Sequence, residues 1–478
     1  MKRFPKTLLF AMLALASAPL SSCEDNDDNA PAVENPETPS GPVDSAGRVI
    51  LTGEISSSRT LKASEKYLLQ GFVYVTSGTT LTIEPGTKIF GDQATKGALI
   101  VERGAKLIAE GTQTNPIVFT SAKAKGSRNY GDWGGVVLVG SAPINQSLST
   151  NMEGGIRGTF GGTNAADNSG SLKYVRIEFA GIALSTSANS EINGLSMYGV
   201  GSGTQIDYVQ VSYSGDDSFE WFGGTVNAKH LVAHRGWDDD FDTDFGFTGK
   251  IQYGLSLRDP QYADQSGSNG FESDNFNPGT PATGTNAGLP LTGAVFSNMS
   301  VFVTAGTPPA TQASGNGSYQ SALHLRRNTA ISIYNSVFVG HPEGLRLDGT
   351  ATWANVQSGE LTLKGVTLAN NTTPLRAAGN SGTGAFSDAD VQAWFNGSGK
   401  QNAVVSAGNL STLGLNASSF NLTAPNFLPQ SSSPLLTGAI FDGKANDSFF
   451  DKVTYKGAFG TSNWTQGWTS FDPQNADY

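Results

Sequence analysis

The sequence predicts an all-β parallel solenoid with capped ends and an aromatic C-terminal tail, and three observations carry that prediction. Glycine is abundant at 59 of 478 residues, while charged residues make up only 15%. Short apolar-alternating runs separated by Gly, Asn, Asp and Ser take the place of long helical stripes, which is the pattern of many short strands. The segments Leu81-Thr-Ile-Glu-Pro-Gly-Thr-Lys-Ile89 and Leu99-Ile-Val-Glu-Arg-Gly-Ala-Lys-Leu107 align residue for residue 18 positions apart, and Tyr208-Val-Gln-Val211, Leu231-Val-Ala-His234 and Tyr253-Gly-Leu-Ser256 recur at about 22. A drifting period near 20 suits coils that stack short parallel strands about 4.8 Å apart. A sandwich would favour two-residue hairpins and a propeller a period of roughly 40–50, and neither pattern dominates.

The chain opens with a secretory leader over residues 1–22. Lys2, Arg3 and Lys6 form its positive start, and Leu8 to Ala18 its apolar run. That run is shorter than the roughly 20 apolar residues a membrane-spanning helix needs. Leu20-Ser21-Ser22 leads into Cys23, the one cysteine of the chain, in the arrangement of a bacterial lipobox. Cys23 is therefore the expected lipidation site, and the lipid the expected membrane anchor. From Glu24 to Gly47 the chain holds Asp, Glu, Asn, Pro and Ser without a Lys or Arg. Residues 23–47 are accordingly expected to be the lipidated cysteine and a disordered acidic tether.

The body from 48 to 430 is expected to be the solenoid, with a first coil near Thr52 to Val75 as the N-terminal cap. After Pro425 the pattern loosens, and Ser431-Ser-Ser-Pro-Leu-Leu436 reads as the last turn. Residues 431–478 carry Phe449, Phe450, Tyr455, Phe459, Trp464, Trp468 and Phe471. They are expected to fold back over the open end of the core, since aromatics bury the most apolar area per residue.

Several segments carry a family resemblance. Leu81 to Ile89, Asn115-Pro-Ile-Val-Phe-Thr120, Gly131-Asp-Trp-Gly-Gly135 and Leu172-Lys-Tyr-Val-Arg-Ile-Glu-Phe-Ala-Gly181 form the first part of it. Ser212 to Gly224, Trp237 to Asp244, Gly457-Ala-Phe-Gly460 and Trp464-Thr-Gln-Gly-Trp468 continue it over nearly the whole mature chain. Together they resemble right-handed parallel β-helix surface lipoproteins of Bacteroidota, a fold shared with pectin lyases. The resemblance implies that fold and an outer-membrane, cell-surface location. The acids Glu24, Asp25, Asp27 and Asp28 look like the stretch that favours export to the outer face in such lipoproteins. It implies little about activity, because the fold hosts many.

Chemistry concentrates between residues 215 and 274. Asp216, Asp217, Glu220, Asp238, Asp239, Asp240, Asp242 and Asp244 are opposed only by Lys229 and Arg235. Aligning Gly215-Asp-Asp217 with Gly236-Trp-Asp238 puts these carboxylates on one corner of adjacent coils. The next coil adds Arg258 and Asp259, and a later loop Glu272 and Asp274. Stacked carboxylates repel, so the fold must supply cations, hydrogen bonds or raised pKa values. Such an oxygen-rich set suits calcium, with the eight acids as ligands. Four histidines and no free thiol in the mature chain suit zinc or iron poorly. Two other readings stay open: Asx turns that bond backbone N–H groups, and a catalytic carboxylate set.

For catalysis the candidates are Asp217, Asp239 and Arg235, with Arg258, Arg326 and Arg327 as further possible bases. Gly215-Asp216-Asp217 and Asp242-Thr243-Asp244 superficially resemble polygalacturonase motifs, but in the reverse order and with Asp242 in place of Asn. Those catalytic roles are not carried over. His230 and His234 read as ordinary strand residues. Trp221 and Trp237, beside the acids, are candidate platforms for sugar rings. A net charge of -11 argues against nucleic acid as a partner. Three functions remain in view. The first is a surface lipoprotein binding an extracellular ligand, glycan or another nutrient, alongside an outer-membrane transporter. The second is a polysaccharide lyase or glycoside hydrolase, and the third a structural adhesin or envelope module.

Overall fold

Strands as short as Thr80–Ile83 bury Leu81 and Ile83 inward and leave Thr80 and Thr82 half-buried outside. One such strand buries too little to stand alone, so it pairs with its counterpart in the next coil. In a computed structural model, residues 39–184, 190–275, 288–303 and 317–478 are described. Cys23, the leader and the tether up to residue 38 lie outside them. The described residues form a parallel β-helix of three strand columns. Sheet A is traced by Val209, Leu231, Gly254 and Met299. Sheet B is traced by Phe219, Phe241, Phe271, Leu323 and Leu345. Sheet C is traced by Ile206, Ala228, Ile251, Phe296 and Ile333. Their inward side chains merge into one core along the axis.

Long strands run through the corner between sheets C and A by a single left-handed residue. Tyr174, Tyr208, His230, Tyr253, Asn298 and Asn335 occupy this bend with φ of 50° to 64°. Four of them stack outside as a column, with ring centroids 4.5, 4.1 and 4.9 Å apart from Tyr174 to Tyr253. His230 also meets Asp207 at 2.7 Å, while His234 is buried and bonds the Leu422 carbonyl. The two histidines thus serve the strand architecture on separate columns.

The spacing near 22 is the true coil period here, but the 18-residue match is not a coil. Leu81 pairs with Leu107, whereas Leu99 pairs with Val73 and Val136 in another sheet. The match relates two strand–turn–strand corners built from similar residues. The N-terminal side also differs from expectation. Residues 40–47 are not tether: Val43 bridges Val49, Asp44 pairs with Arg48 at 2.6 Å, and Ser40 donates to Glu65. These contacts cover the exposed edge of the first coil.

At the other end the last parallel strand is Ala403–Val405, so the solenoid stops short of 430. Its open end is closed by two helices, α1 (Thr350–Ser358) and α2 (Asp388–Phe395). Trp353 and Val356 of α1, and Val391 and Phe395 of α2, join the central core. A reciprocal capping box between Ser387 and Asp390 starts α2.

The aromatic tail covers a flank and not the end. The outer face of sheet A presents Val232, Leu255, Leu257, Phe302 and Val337, and Phe427, Leu435, Phe459 and Trp468 pack on it. Side-chain amides hold the tail backbone as a neighbouring strand would. Gln210 exchanges hydrogen bonds with Ser470, Gln252 with Asp451, and Asn335 with Ile440. The tail ends at Tyr478, whose hydroxyl donates to buried Glu178 while Arg128 lies over its ring. We expect Trp468→Ala to cost about 3–5 kcal/mol, as large core truncations do. Differential scanning calorimetry should show a clear fall in melting temperature, and an unchanged one would contradict the covering role of the tail.

Candidate functional site

With sheet A covered, the polar chemistry gathers on the outer face of sheet B and on the turns that enter it from sheet A. Register decides which side chains meet. Ser196, Glu220, Asp242, Glu272, His324, Arg346 and Arg376 form one outward column, each a coil further along. The column is acidic over three coils and basic over the next three. Phe219 pairs with Phe241, so Asp216 and Asp217 lie against Asp238 and Asp239, one residue off the alignment expected from sequence.

These acids line a cleft of about 610 Å³. Asp216, Asp217, Glu220, Asp238, Asp239, Asp242 and Asp244 all reach it, and Glu272 and Asp274 extend it. Three further acids join that sequence reasoning missed. Glu153 and Glu191 arrive on excursions ahead of the acidic coils, and Asp264 on the long turn after Asp259. Nothing near them in sequence signals this role; only the fold brings them in.

The carboxylates are close-packed. Ligand atoms of Asp216, Asp217 and Asp238 lie within 4.8 Å of one another, as do those of Asp217, Glu220 and Asp242, and of Asp239, Asp242 and Glu272. Asp217 and Asp242 each belong to two of these groups. Some oxygens also stitch the turns together. Asp239 N–H donates to Asp217 Oδ1 at 2.8 Å, and Asn269 N–H to Asp239 Oδ1 at 2.5 Å. Asn193 donates to Glu220. Asp238 Oδ1 and Asp242 Oδ1 are buried and receive no hydrogen bond from the described residues.

Burial, then mutual repulsion, pushes Asp216, Asp217, Glu220, Asp239, Asp242 and Asp244 well above the ordinary carboxylate range. Burial and the neighbouring Asp264 lift Asp238 to about 7. Glu272 differs. Burial pushes it up, but the hydrogen bond from His324 and the charge of Arg326 outweigh that and hold it low. Arg326 pairs with both Glu272 and Asp274, and Arg327 with Asp274. The basic edge is thus already engaged in neutralising one end of the cleft.

Four sequence expectations are corrected here. Asp240 is fully buried and turned inward, taking a hydrogen bond from Ser256 and an ion contact from Arg258 at 3.3 Å. It does not line the cleft. Trp221 is also fully buried, stacked on Phe247 in the core, so no sugar can reach it. Trp237 keeps some exposure but lies outside the lining; its Nε1 donates to the Ala263 carbonyl and its ring meets Tyr130. Arg235 is paired with Asp259 and stacked over Tyr213, away from the carboxylates it was expected to serve as a base.

Stacked parallel coils in three strand columns, with an acidic cleft on one flank, define a parallel β-helix. A family model described as a pectate-lyase-like β-helix domain matches residues 53–469, and the chain belongs to that family. Comparisons with curated proteins and with solved structures return no match. Among the described residues, no helix is long and apolar enough to cross a membrane.

The raised carboxylates fix the sign of a pH effect. Between the ordinary value near 4 and their raised values, the native chain binds more protons than the unfolded chain, so its stability falls as pH rises through that window. In EDTA the melting temperature should therefore be lower at about pH 8 than at about pH 5. Asp217→Asn, which removes one repelling charge, should flatten this dependence; an identical pH profile would contradict the arrangement.

Proposed function

We propose that the protein is a cell-surface lipoprotein of the Bacteroidota type. It binds an extracellular glycan or other nutrient at hard cations of the calcium class held in the acidic cleft. The observation that carries this reading is the linkage of three carboxylate groups through Asp217 and Asp242, with buried oxygens on Asp238 and Asp242 that find no donor among the described residues. An all-oxygen, anionic donor set fits Ca²⁺, which tolerates irregular geometry, and not a metal that needs nitrogen or sulfur. Asp216, Asp217, Glu220, Asp238, Asp239, Asp242 and Glu272 would hold it. When bound, such a cation offers coordination positions to the hydroxyl or carboxylate oxygens of a ligand.

Two features favour binding as the task. The guanidinium groups nearest the cleft are committed to Glu272 and Asp274, and Arg235 to Asp259, which leaves them poorly placed as bases. The cleft also stands away from the N-terminal coil. It occupies the sixth to eighth rungs of sheet B, about 24–34 Å up the axis at 4.8 Å per coil. For a chain carrying a lipid on Cys23, an outer-membrane transporter is a fitting partner. A hydrolase remains the second reading, favoured by Asp238, whose pKa near 7 suits a general acid.

Calorimetry on the soluble body tests the cation. Ca²⁺ should raise the melting temperature, more at about pH 8 than at about pH 5 because the cation displaces protons. Asp217→Asn and Asp242→Asn should lose most of that rise. A glycan array run with Ca²⁺ and with EDTA tests the ligand; binding that ignores EDTA would sink the proposed role of the cation. Protease accessibility of the body on intact cells tests location, and complete protection would contradict surface display.

A further inference from the structure

Arg258 is one of the largest fully buried side chains, and it lies behind the acidic cleft. It ends the strand Lys250–Arg258 at the corner where sheet A turns toward sheet B. Its Nη2 donates to three successive carbonyls of the preceding coil: Gly236 at 3.3 Å, Trp237 at 3.1 Å and Asp238 at 2.5 Å. Its Nη1 donates to the Asn269 carbonyl at 2.8 Å and meets Asp240 Oδ1 at 3.3 Å. The guanidinium lies 5.0 Å from the Tyr319 ring centroid, and the Tyr319 hydroxyl donates to the Asp259 carbonyl.

These carbonyls belong to the backbone that presents the ligands. Gly236 to Asp238 lead into Asp238 and Asp239, and Asn269 leads into Glu272 and supplies the N–H that binds Asp239. We infer that Arg258 is the positioning residue of the cleft: one buried guanidinium holds the acid-bearing turns of two successive coils in the spacing that brings their carboxylates together. The chemistry requires arginine. Its planar fork carries five donors and keeps its charge, whereas a lysine has three donors on a point charge and cannot span carbonyls on both sides. Neither the composition nor the spacing of the acids hints at this, since Arg258 reads in sequence as one more base beside them.

The functional consequence rests on the cation-binding reading; the positioning itself does not. The experiment uses the full mature chain and two variants, Arg258→Lys and Arg258→Met. Hydrogen–deuterium exchange without metal reads the turns, and calorimetric titration with Ca²⁺ alone reads the cleft, both well below each variant's melting temperature. In Arg258→Lys, exchange should speed up at residues 236–240 and 269 while coils near 98–101 stay protected. Its Ca²⁺ affinity should fall about 10–100-fold, as loss of a supporting partner does at metal sites. Arg258→Met should fall further, so that lysine gives partial rescue. Wild-type exchange at the turns in Arg258→Lys would overturn the inference, and so would loss of protection spread evenly along the solenoid. Unchanged Ca²⁺ affinity in both variants would overturn it as well. If the wild-type chain binds no Ca²⁺, the cation-binding reading fails, and the exchange pattern alone then decides for or against the positioning role.

Discussion

In-register stacking of parallel coils is the constraint on which the rest of this molecule depends. Because each residue sits about 4.8 Å from its counterpart, a side chain at one position imposes its character on the next coil. Where counterparts are apolar, the result is the continuous Phe219, Phe241, Phe271 core. Where they are rings at a left-handed bend, it is the Tyr174 to Tyr253 stack. Where they are acids, it is a concentration of negative charge that water alone would not leave assembled.

The fold meets that concentration in three ways. Some carboxylate oxygens accept backbone N–H groups of the following coil, as Asp217 and Asp239 do. Arg326 and Arg327 neutralise the Glu272 and Asp274 end. Arg258 places one permanent positive charge on the inner side. One oxygen each of Asp238 and Asp242 finds no donor among the described residues, which favours the protonated form of the buried carboxyl. The cluster is therefore costly to the fold, and such costs gather where a protein does its work.

The C-terminal tail makes the choice of flank. By covering sheet A with Phe427, Phe459 and Trp468, it leaves the charged column of sheet B as the face with chemistry to offer. It also joins the last residue to the early coils through Tyr478, Glu178 and Arg128. The chain thus closes its open end with two helices and its apolar side with its own terminus. The sequence assigns the tail to the open end, because aromatic composition announces burial but not the surface against which burial occurs.

Alternation of Val, Ile, Leu and Thr over short runs, with glycine at the turns, determined the coil architecture by itself. The density of acids between Asp216 and Asp244 likewise announced the site. Both are local properties, readable wherever side-chain period and charge are readable. Tertiary structure alone decided the rest. It turned Trp221 inward, because alternate residues of one strand face opposite sides, and drew Asp240, in the turn ahead of its strand, inward onto Ser256 and Arg258. It brought Glu153, Glu191 and Asp264 into the cleft from distant segments. It placed Arg258 behind the acids rather than among them. Register and long-range closure are properties of coils in contact, and no single stretch of sequence carries them.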